Sequence, residues 1–336
     1  MPYKIAVLMG GSSFEREFSL ESGKNVTNIL RSRGHEVLPL DTDKNLVETL
    51  RTQNIDVVYI ALHGKGGEDG TIQALLEYLK IPFIGSSSYV ARVIWNKSAL
   101  PQVIESAREA SVESPEKGAA SWPERVSLAA LSFKDLGATK ALDLIPEHLG
   151  PYPLAVKPAR GGSAMGVTCV DNEKDVGAAI LHAFSFDSAV IIEQWIQGVE
   201  LAVGVVGNGD AARVLPPVEI VPKKSFFDTE ARQDSNMVDY YCPPRLESLA
   251  DTQEAQNEAL QAIKNAALEV HKVLGCRDLS RIDMIWDGSK PRILEVNVSP
   301  GMTVHSLVPM AAAASDTNLG EVLDELLTLA INRQNF

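Results

Sequence analysis

The sequence predicts an α/β protein that opens with a parallel sheet, and three observations carry that reading. Short apolar runs alternate with amphipathic stretches over residues 4–85, the pattern of strands joined by crossover helices. Two of those runs end in glycine-rich turns, Gly10-Gly11-Ser12-Ser13 and His63-Gly64-Lys65-Gly66-Gly67. Further along, residues 281–307 alternate apolar and polar positions on both sides of Asp287-Gly288-Ser289, the signature of an antiparallel hairpin.

In chain order, strands are expected over 5–9, 36–40, 57–62 and 82–85, with helices between them, one stopped by Gly34. A parallel sheet of this kind is covered on both faces and binds ligands beyond its carboxyl ends. Neither glycine-rich turn is Gly-x-Gly-x-x-Gly, so a dinucleotide site is not indicated. Glu15 either holds a substrate ammonium or supports the next helix through its dipole; His63 either meets a carboxylate or simply ends a strand. Glu68 and Asp69 read as caps of a helix that starts near Thr71.

Lys97 follows a helical run over 90–95, as a phosphate contact or as a solvated helix-end lysine. Pro101, Pro115 and Pro123 then break up a Ser/Glu/Ala-rich stretch that reads as a surface loop. A short strand over 153–158 carries Lys157 and leads into a loop with Gly161, Gly162 and Gly166. Backbone N–H groups of such a loop can bind a triphosphate with the lysine as point charge, although no Gly-Lys-Ser/Thr follows. Residues 189–196 read as a buried strand that becomes a hinge. Glu193, Gln194, Trp195 and Ile196 there would face adenine and Glu200 the ribose; Trp195 fits plain core equally well. The polar run over 225–239 lacks any period and reads as a lid. Asp251 and Glu254 suggest a capping box for a helix whose Leu260, Ile263, Ala267, Val270 and Leu274 face the core, ended by Gly275. A last helix is expected over 319–331.

In the hairpin, Arg281 shares a face with Asp283, and Glu295 with Asn297. Two carboxylates and an amide oxygen are hard ligands that suit Mg²⁺, and facing carboxylates repel unless a cation lies between them. A solvated outer face is the plain alternative. Gly301, in the turn that follows, lets a backbone N–H approach an oxyanion.

Composition narrows the partners. There are 31 Lys plus Arg against 44 Asp plus Glu, a net charge of −13. No nucleic-acid footprint is expected from that balance. The run over 5–9 is too short for a signal-peptide core, and no stretch approaches the ~20 apolar residues of a membrane helix. Three widely spaced cysteines fit neither a zinc motif nor a disulfide framework, so a reduced cytoplasmic setting is expected.

Along nearly its whole length the chain resembles the D-alanine:D-alanine ligases of the ATP-grasp superfamily. The resemblance lies in Gly10-Gly11-Ser12-Ser13-Phe14-Glu15-Arg16-Glu17, in residues 61–70, in Val156-Lys157-Pro158, in Glu193-Gln194-Trp195, in Arg281-Ile282-Asp283 and in residues 294–310. It implies an N-terminal Rossmann-like domain over 1–91 and a two-lobed ATP-grasp fold, with a central lobe over 92–193 and a C-terminal lobe over 194–336. It also implies ATP held by Lys97, Lys157, the hinge at 193–196 and Glu200, with two Mg²⁺ ions, replaceable by Mn²⁺, on Asp283, Glu295 and Asn297. Arg281 and the Gly301 N–H would steady an oxyanion. Glu15 and His63 would receive the first D-alanine, with Ser163 bonded to Glu15, while Ser306 and Leu307 would take the carboxylate of the second. The implied product is D-alanyl-D-alanine for peptidoglycan synthesis, made through an acyl phosphate by a cytoplasmic enzyme that can form homodimers. Arg232 and Gln233 stand where the family has Lys-Tyr in the lid. Gly161, Ala164 and Asn96 replace a family Glu, Ser and Asp. These departures leave D-lactate or D-serine open as second substrate, and an ATP-binding protein without ligase activity as a further alternative.

Overall fold

The computed structural model describes residues 2–110, 121–123, 125–129, 149, 151–223 and 237–333. β1 (Lys4–Leu8), α1 (Arg16–Ser32), β2 (Glu36–Leu40), α2 (Leu46–Thr52) and β3 (Val57–Ile60) form a parallel sheet of order β2-β1-β3. Ile5 and Val7 face a core that includes Val26 and Leu30 of α1, while Ala6 and Leu8 face Leu46 and Leu50 of α2. Continuously apolar strands are what burial on both faces demands. The strand expected at 82–85 is reduced to one bridge, Val58 to Phe83. The chain turns out of the sheet at Gly85, whose φ is +113° and whose N–H donates to Asp278 Oδ2 at 2.8 Å.

At the start of α3 (Thr71–Leu79) Asp69 accepts from the Thr71 N–H at 3.0 Å, but Glu68 caps nothing and turns to His63. α4 (Ser88–Trp95) is capped by Ser87 and leads to Lys97. The loop expected next is corrected at its start, because Leu100–Ala110 is a helix, α5, with Leu100 and Ile104 buried. Pro101 sits in its first turn, where a missing N–H breaks no helical bond.

β4 (Arg125–Ala129), β5 (Leu154–Pro158), β6 (Thr168–Val170), α6 (Glu173–Phe184) and β7 (Ala189–Gln194) build the second layer, an antiparallel sheet of order β4-β7-β5-β6. Leu154, Val156, Val190 and Ile192 pack against Val176 and Ile180 of α6. The alternate residues Arg125, Lys157 and Glu193 therefore project from the opposite face.

The third layer comprises β8 (Val199–Val206), β9 (Arg213–Val214), β10 (Val218–Pro222), β11 (Val238–Tyr241), α7 (Gln253–Val273), β12 (Leu279–Trp286), β13 (Pro291–Asn297), α8 (Leu307–Ala313) and α9 (Leu319–Ile331). Its sheet has the order β11-β10-β8-β12-β13, with β9 on β8. Ile263, Ala267 and Val270 of α7 lie under Ile282 and Met284 of the hairpin, as the helical period requires. The cap of α7 is Thr252, bonded to the Ala255 N–H, and not Asp251; the capping box of this region belongs to Asn318 and Glu321 of α9. Asp278 is fully buried and ties three parts together: it accepts from the Gly85 N–H and from Asn208 Nδ2, and it pairs with Arg333. The three cysteines are free, and no helix among the described residues is long and apolar enough to cross a membrane.

Candidate active site

Loops from all three sheets meet at one cleft. From the parallel sheet, Ser13 Oγ donates to the His63 carbonyl at 2.7 Å and accepts from the Glu15 N–H at 3.2 Å, so the two glycine-rich turns are joined. The Glu15 carboxylate is enclosed: a Cβ at Gly64 would stand 2.5 Å from its Oε2, and one at Gly162 would stand 3.0 Å from its Oε1. Ser163 donates to Glu15 Oε1, which docks the glycine loop of the second sheet onto the first. Burial, then the charge of Glu68, holds the Glu15 carboxyl above its usual range, although Ser163 and His63 oppose the rise. His63 is 4% exposed, with Nδ1 3.5 Å from Glu68, Nε2 3.2 Å from Ser22 Oγ and the Phe18 ring 4.8 Å away.

The hairpin contributes the charged wall. Strand register sets Arg281 opposite Asn297 and Asp283 opposite Glu295, as the alternation of the sequence requires. A bulge then shifts the pairing to Met284 opposite Ile293, so Leu294 has no partner across the ladder. Arg281 holds Asp283 through two bonds of 2.7 Å, Asn297 Nδ2 donates to Asp283 at 3.2 Å, and Lys97 Nζ lies 3.5 Å from Glu295. Against burial, the Asp283 charge and hydrogen bonds raise the Arg281 guanidinium above its ordinary value. The repulsion expected between the facing carboxylates is thus met by two protein cations. The donor set is still all oxygen, from two carboxylates and an amide, and fits a hard cation that takes further ligands from phosphates. Among the described residues no three His, Cys, Asp or Glu side chains gather to hold a metal by themselves.

Lys97, Lys157, Gly161, Gly162 and Glu295 line a small cavity beside the hairpin. Lys97 Nζ also donates to the Gly161 carbonyl. Lys157 Nζ donates to Glu193 Oε1 at 2.6 Å; burial pulls its ammonium below the ordinary lysine range, and Glu193 opposes that shift. The Glu193 side chain, 2% exposed, is thus a counter-ion inside the fold. Gln194 ends β7, Trp195 is half-buried with its N–H bonded to the Pro153 carbonyl, and Ile196 and Glu200 are half-buried at the start of the third layer. Glu200 stands across the ladder from Ile285 of the hairpin's first strand.

Beyond β13, Ser299 Oγ bonds to the Ile60 and Leu62 carbonyls at 3.1 and 3.2 Å, and the Met302 N–H donates to Ser22 Oγ at 3.1 Å. This brings Gly301 against Phe18 and Ser306 Oγ. Ser306 is the N-cap residue of α8, its Oγ accepting from the Thr303 N–H at 3.0 Å, and Leu307 is the first helical residue. Arg232 and Gln233 lie outside the described residues, as does most of the expected lid. Phe18, Ser22 and Arg125 were not singled out from the sequence, and Glu68 was read there only as a helix cap. Arg125-Val126-Ser127-Leu128 does carry the alternation of a strand, and that signal could have found it.

Three layers closing over a glycine loop, two lysines and a carboxylate hairpin form an N-terminal parallel α/β domain followed by a two-lobed ATP-grasp fold. The family model described as D-ala D-ala ligase C-terminus matches residues 133–328, and that described as D-ala D-ala ligase N-terminus matches residues 46–86. A D-alanine–D-alanine ligase of Halalkalibacterium halodurans is 36% identical over 332 residues, 98% of this chain and 100% of the relative. The crystal structure of the Bacillus anthracis D-alanine–D-alanine ligase complexed with ATP superposes with a TM-score of 0.73 at 26% identity, covering 98% of this chain and 97% of that one. The VanG D-Ala:D-Ser ligase of Enterococcus faecalis superposes at 0.76 and 27%, covering 98% and 100%. The chain belongs to the D-alanine–D-alanine ligase family.

Proposed function

We propose that this protein joins two D-alanines to D-alanyl-D-alanine at the expense of ATP, through an acyl phosphate, to supply a peptidoglycan precursor. The observation that carries the proposal is the convergence of Glu15, Lys97, Arg281 and the Asp283–Glu295 pair on one cleft, held by bonds between all three sheets. Relatives alike over the full length support it.

The first D-alanine places its ammonium at Glu15, where the incoming cation offsets the burial that disfavours the carboxylate. His63, behind it, faces the substrate carboxylate. ATP lies over β5 and β7, with its phosphates at Lys97, Lys157 and the N–H groups of the glycine loop. Gln194, Trp195, Ile196 and Glu200 border the nucleoside, and a relative crystallised with ATP supports use of that nucleotide. Asp283, Glu295 and Asn297 would hold Mg²⁺, which would supply charge neutralisation between phosphates. The substrate carboxylate takes the γ-phosphoryl group, and the amine of the second D-alanine then displaces phosphate. Arg281 is held in one orientation by Asp283, and with the Gly301 N–H it faces the oxyanion of that step. Ser306 and the Leu307 N–H receive the second carboxylate. We place the units at 1–91, 92–193 and 194–336, and the enzyme in the cytoplasm as a homodimer.

The test is ADP release with Mg²⁺, ATP and D-alanine, the product weighed by mass spectrometry, with L-alanine and EDTA as controls. D-Ala-D-Ala is the expected product. ADP without dipeptide, rescued by D-serine or D-lactate, would move the acceptor and point to Gln233. No ADP with any acceptor would leave only a nucleotide-binding protein.

A further inference from the structure

One buried cation of the cleft takes no part in binding amino acid or metal. Arg125 opens β4 with its side chain 8% exposed, directly across the ladder from Glu193. Its Nη2 lies 2.8 Å from Glu193 Oε2, and the other oxygen of that carboxylate accepts from Lys157. Its Nη1 donates to the Lys97 carbonyl at 3.2 Å, while the Lys97 N–H is held by the Ala159 carbonyl at 2.9 Å. One planar guanidinium thus touches the supports of both lysines that line the cavity. Lysine, a point charge on a flexible stem, could not span two such acceptors in fixed geometry.

Charge gives the arrangement its sense. A buried lysine facing one carboxylate forms a neutral pair with little pull on a further anion. With Arg125 beside them the group carries two cations against one anion, so the Glu193 charge is shared and Lys157 keeps attraction to spare. Arg125 Nε is buried without a hydrogen-bond partner, so the guanidinium is not there to complete a saturated internal network. The approach to β4 is fixed as well: the Ile293 N–H donates to the Ser121 carbonyl at 2.6 Å, and Ser121 Oγ donates to the Pro291 carbonyl at 2.9 Å. Arg125 is therefore set from β13, the strand that carries Glu295.

We propose that Arg125 is the positioning residue of the phosphate-binding lysines, fixing Lys97 through its carbonyl and keeping Lys157 available through Glu193. The proposal rests on the ATP site given above, and the parent protein controls for that: ATP binding by calorimetry must be seen there first, and its absence would count against the site itself. With binding established, Arg125→Met should raise KM for ATP about tenfold, the effect of losing one charge-assisted hydrogen bond. KM for D-alanine should stay within about twofold, and kcat should fall less than KM rises. Arg125→Lys should recover only part of the loss. The double variant Arg125→Met with Glu193→Gln removes one charge of each sign and should bind ATP better than Arg125→Met alone, a gain that a purely structural ion pair would not give. An Arg125→Met protein with the parent KM for ATP, or with equal losses for both substrates, would overturn the proposal. If that variant does not fold, Arg125→Lys and the double variant decide it on the same readouts.

Discussion

Replacing Gly301 with alanine should damage catalysis by moving a ring rather than by unfolding the protein. A Cβ at this position would stand 2.5 Å from Cζ of Phe18 and 2.9 Å from Ser306 Oγ. Carbon atoms settle near ~3.5–4 Å, so the ring must retreat by about 1 Å and the hydroxyl by less. Phe18 is 40% exposed and can turn outward, giving up its packing on His63, worth roughly 0.5–1.5 kcal/mol. Overpacking of this kind costs about 1–3 kcal/mol, a fall of a few degrees in melting temperature for a chain of this size. Activity should suffer more, because a displacement of ~1 Å among reacting groups can cost ~100-fold. We expect kcat/KM for dipeptide formation to drop by roughly 30- to 100-fold, with KM for ATP changed far less. Phe18→Leu in the same chain removes the obstructing ring and should return most of the loss, making the two substitutions strongly non-additive. Coupled ADP release and thermal melts on the four proteins provide the readouts. A Gly301→Ala enzyme within about twofold of the parent, or one that Phe18→Leu does not rescue, would refute the steric argument.

Three further outcomes are expected. Because the folded pKa of Glu15 lies above its unfolded value, its contribution to stability is full below the unfolded pKa and is lost as pH rises through the folded one. Glu15→Gln should therefore melt higher than the parent near neutral pH while KM for the first D-alanine rises at least about tenfold; melts from pH 5 to 8 and initial rates check both. Burial pushes His271 down to about 4, its ring lying between Ser280 Oγ at 2.7 Å and the Gly207 carbonyl at 3.2 Å. Stability from this depressed group is present above the unfolded value and lost as pH falls toward the folded one, so His271→Gln should flatten that acid loss by up to about 3 kcal/mol in urea melts between pH 6.5 and 4. Asp278→Asn leaves Arg333 without its buried counter-ion and should cost roughly 3–5 kcal/mol in the same assay.

What could be read from the chain follows from which forces act locally. The apolar runs of β1 and β3, the period of α7 and the alternation around Gly288 are set by neighbours in sequence, and the hairpin register followed its pattern from Arg281 to Asp283, where the bulge at Leu294 breaks it. The helix over Leu100–Ala110 was hidden because Pro101 reads as a breaker unless its place in the first turn is known. Residues 82–85 look like a strand, but the withdrawal of Gly85 is decided by Asp278, 193 positions away. Within the site, Glu15 and Lys157 stood out because their charges sat close to glycine-rich turns, and Asp283 because the hairpin's alternation set it against Glu295. Arg125 did not, since its meaning depends on Glu193 and Lys97, which only the folded sheet brings near. Of the two cations that answer the facing carboxylates, Arg281 was legible two positions from Asp283, whereas Lys97 meets Glu295 across almost two hundred residues.

The bonds from Ser299 to the Ile60 and Leu62 carbonyls, with that from the Met302 N–H to Ser22, bear on how such a chain can change over evolutionary time. They join the first third of the polypeptide to the last across more than 230 positions, just beyond the end of the hairpin. A recombination event that exchanged only the leading segment with a distant relative would import carbonyls at heights that the resident serine no longer matches. Viable chimaeras should therefore carry both ends from one parent and exchange the middle. Drift in acceptor preference can then accumulate in intervening segments while the two anchored ends are inherited as a unit.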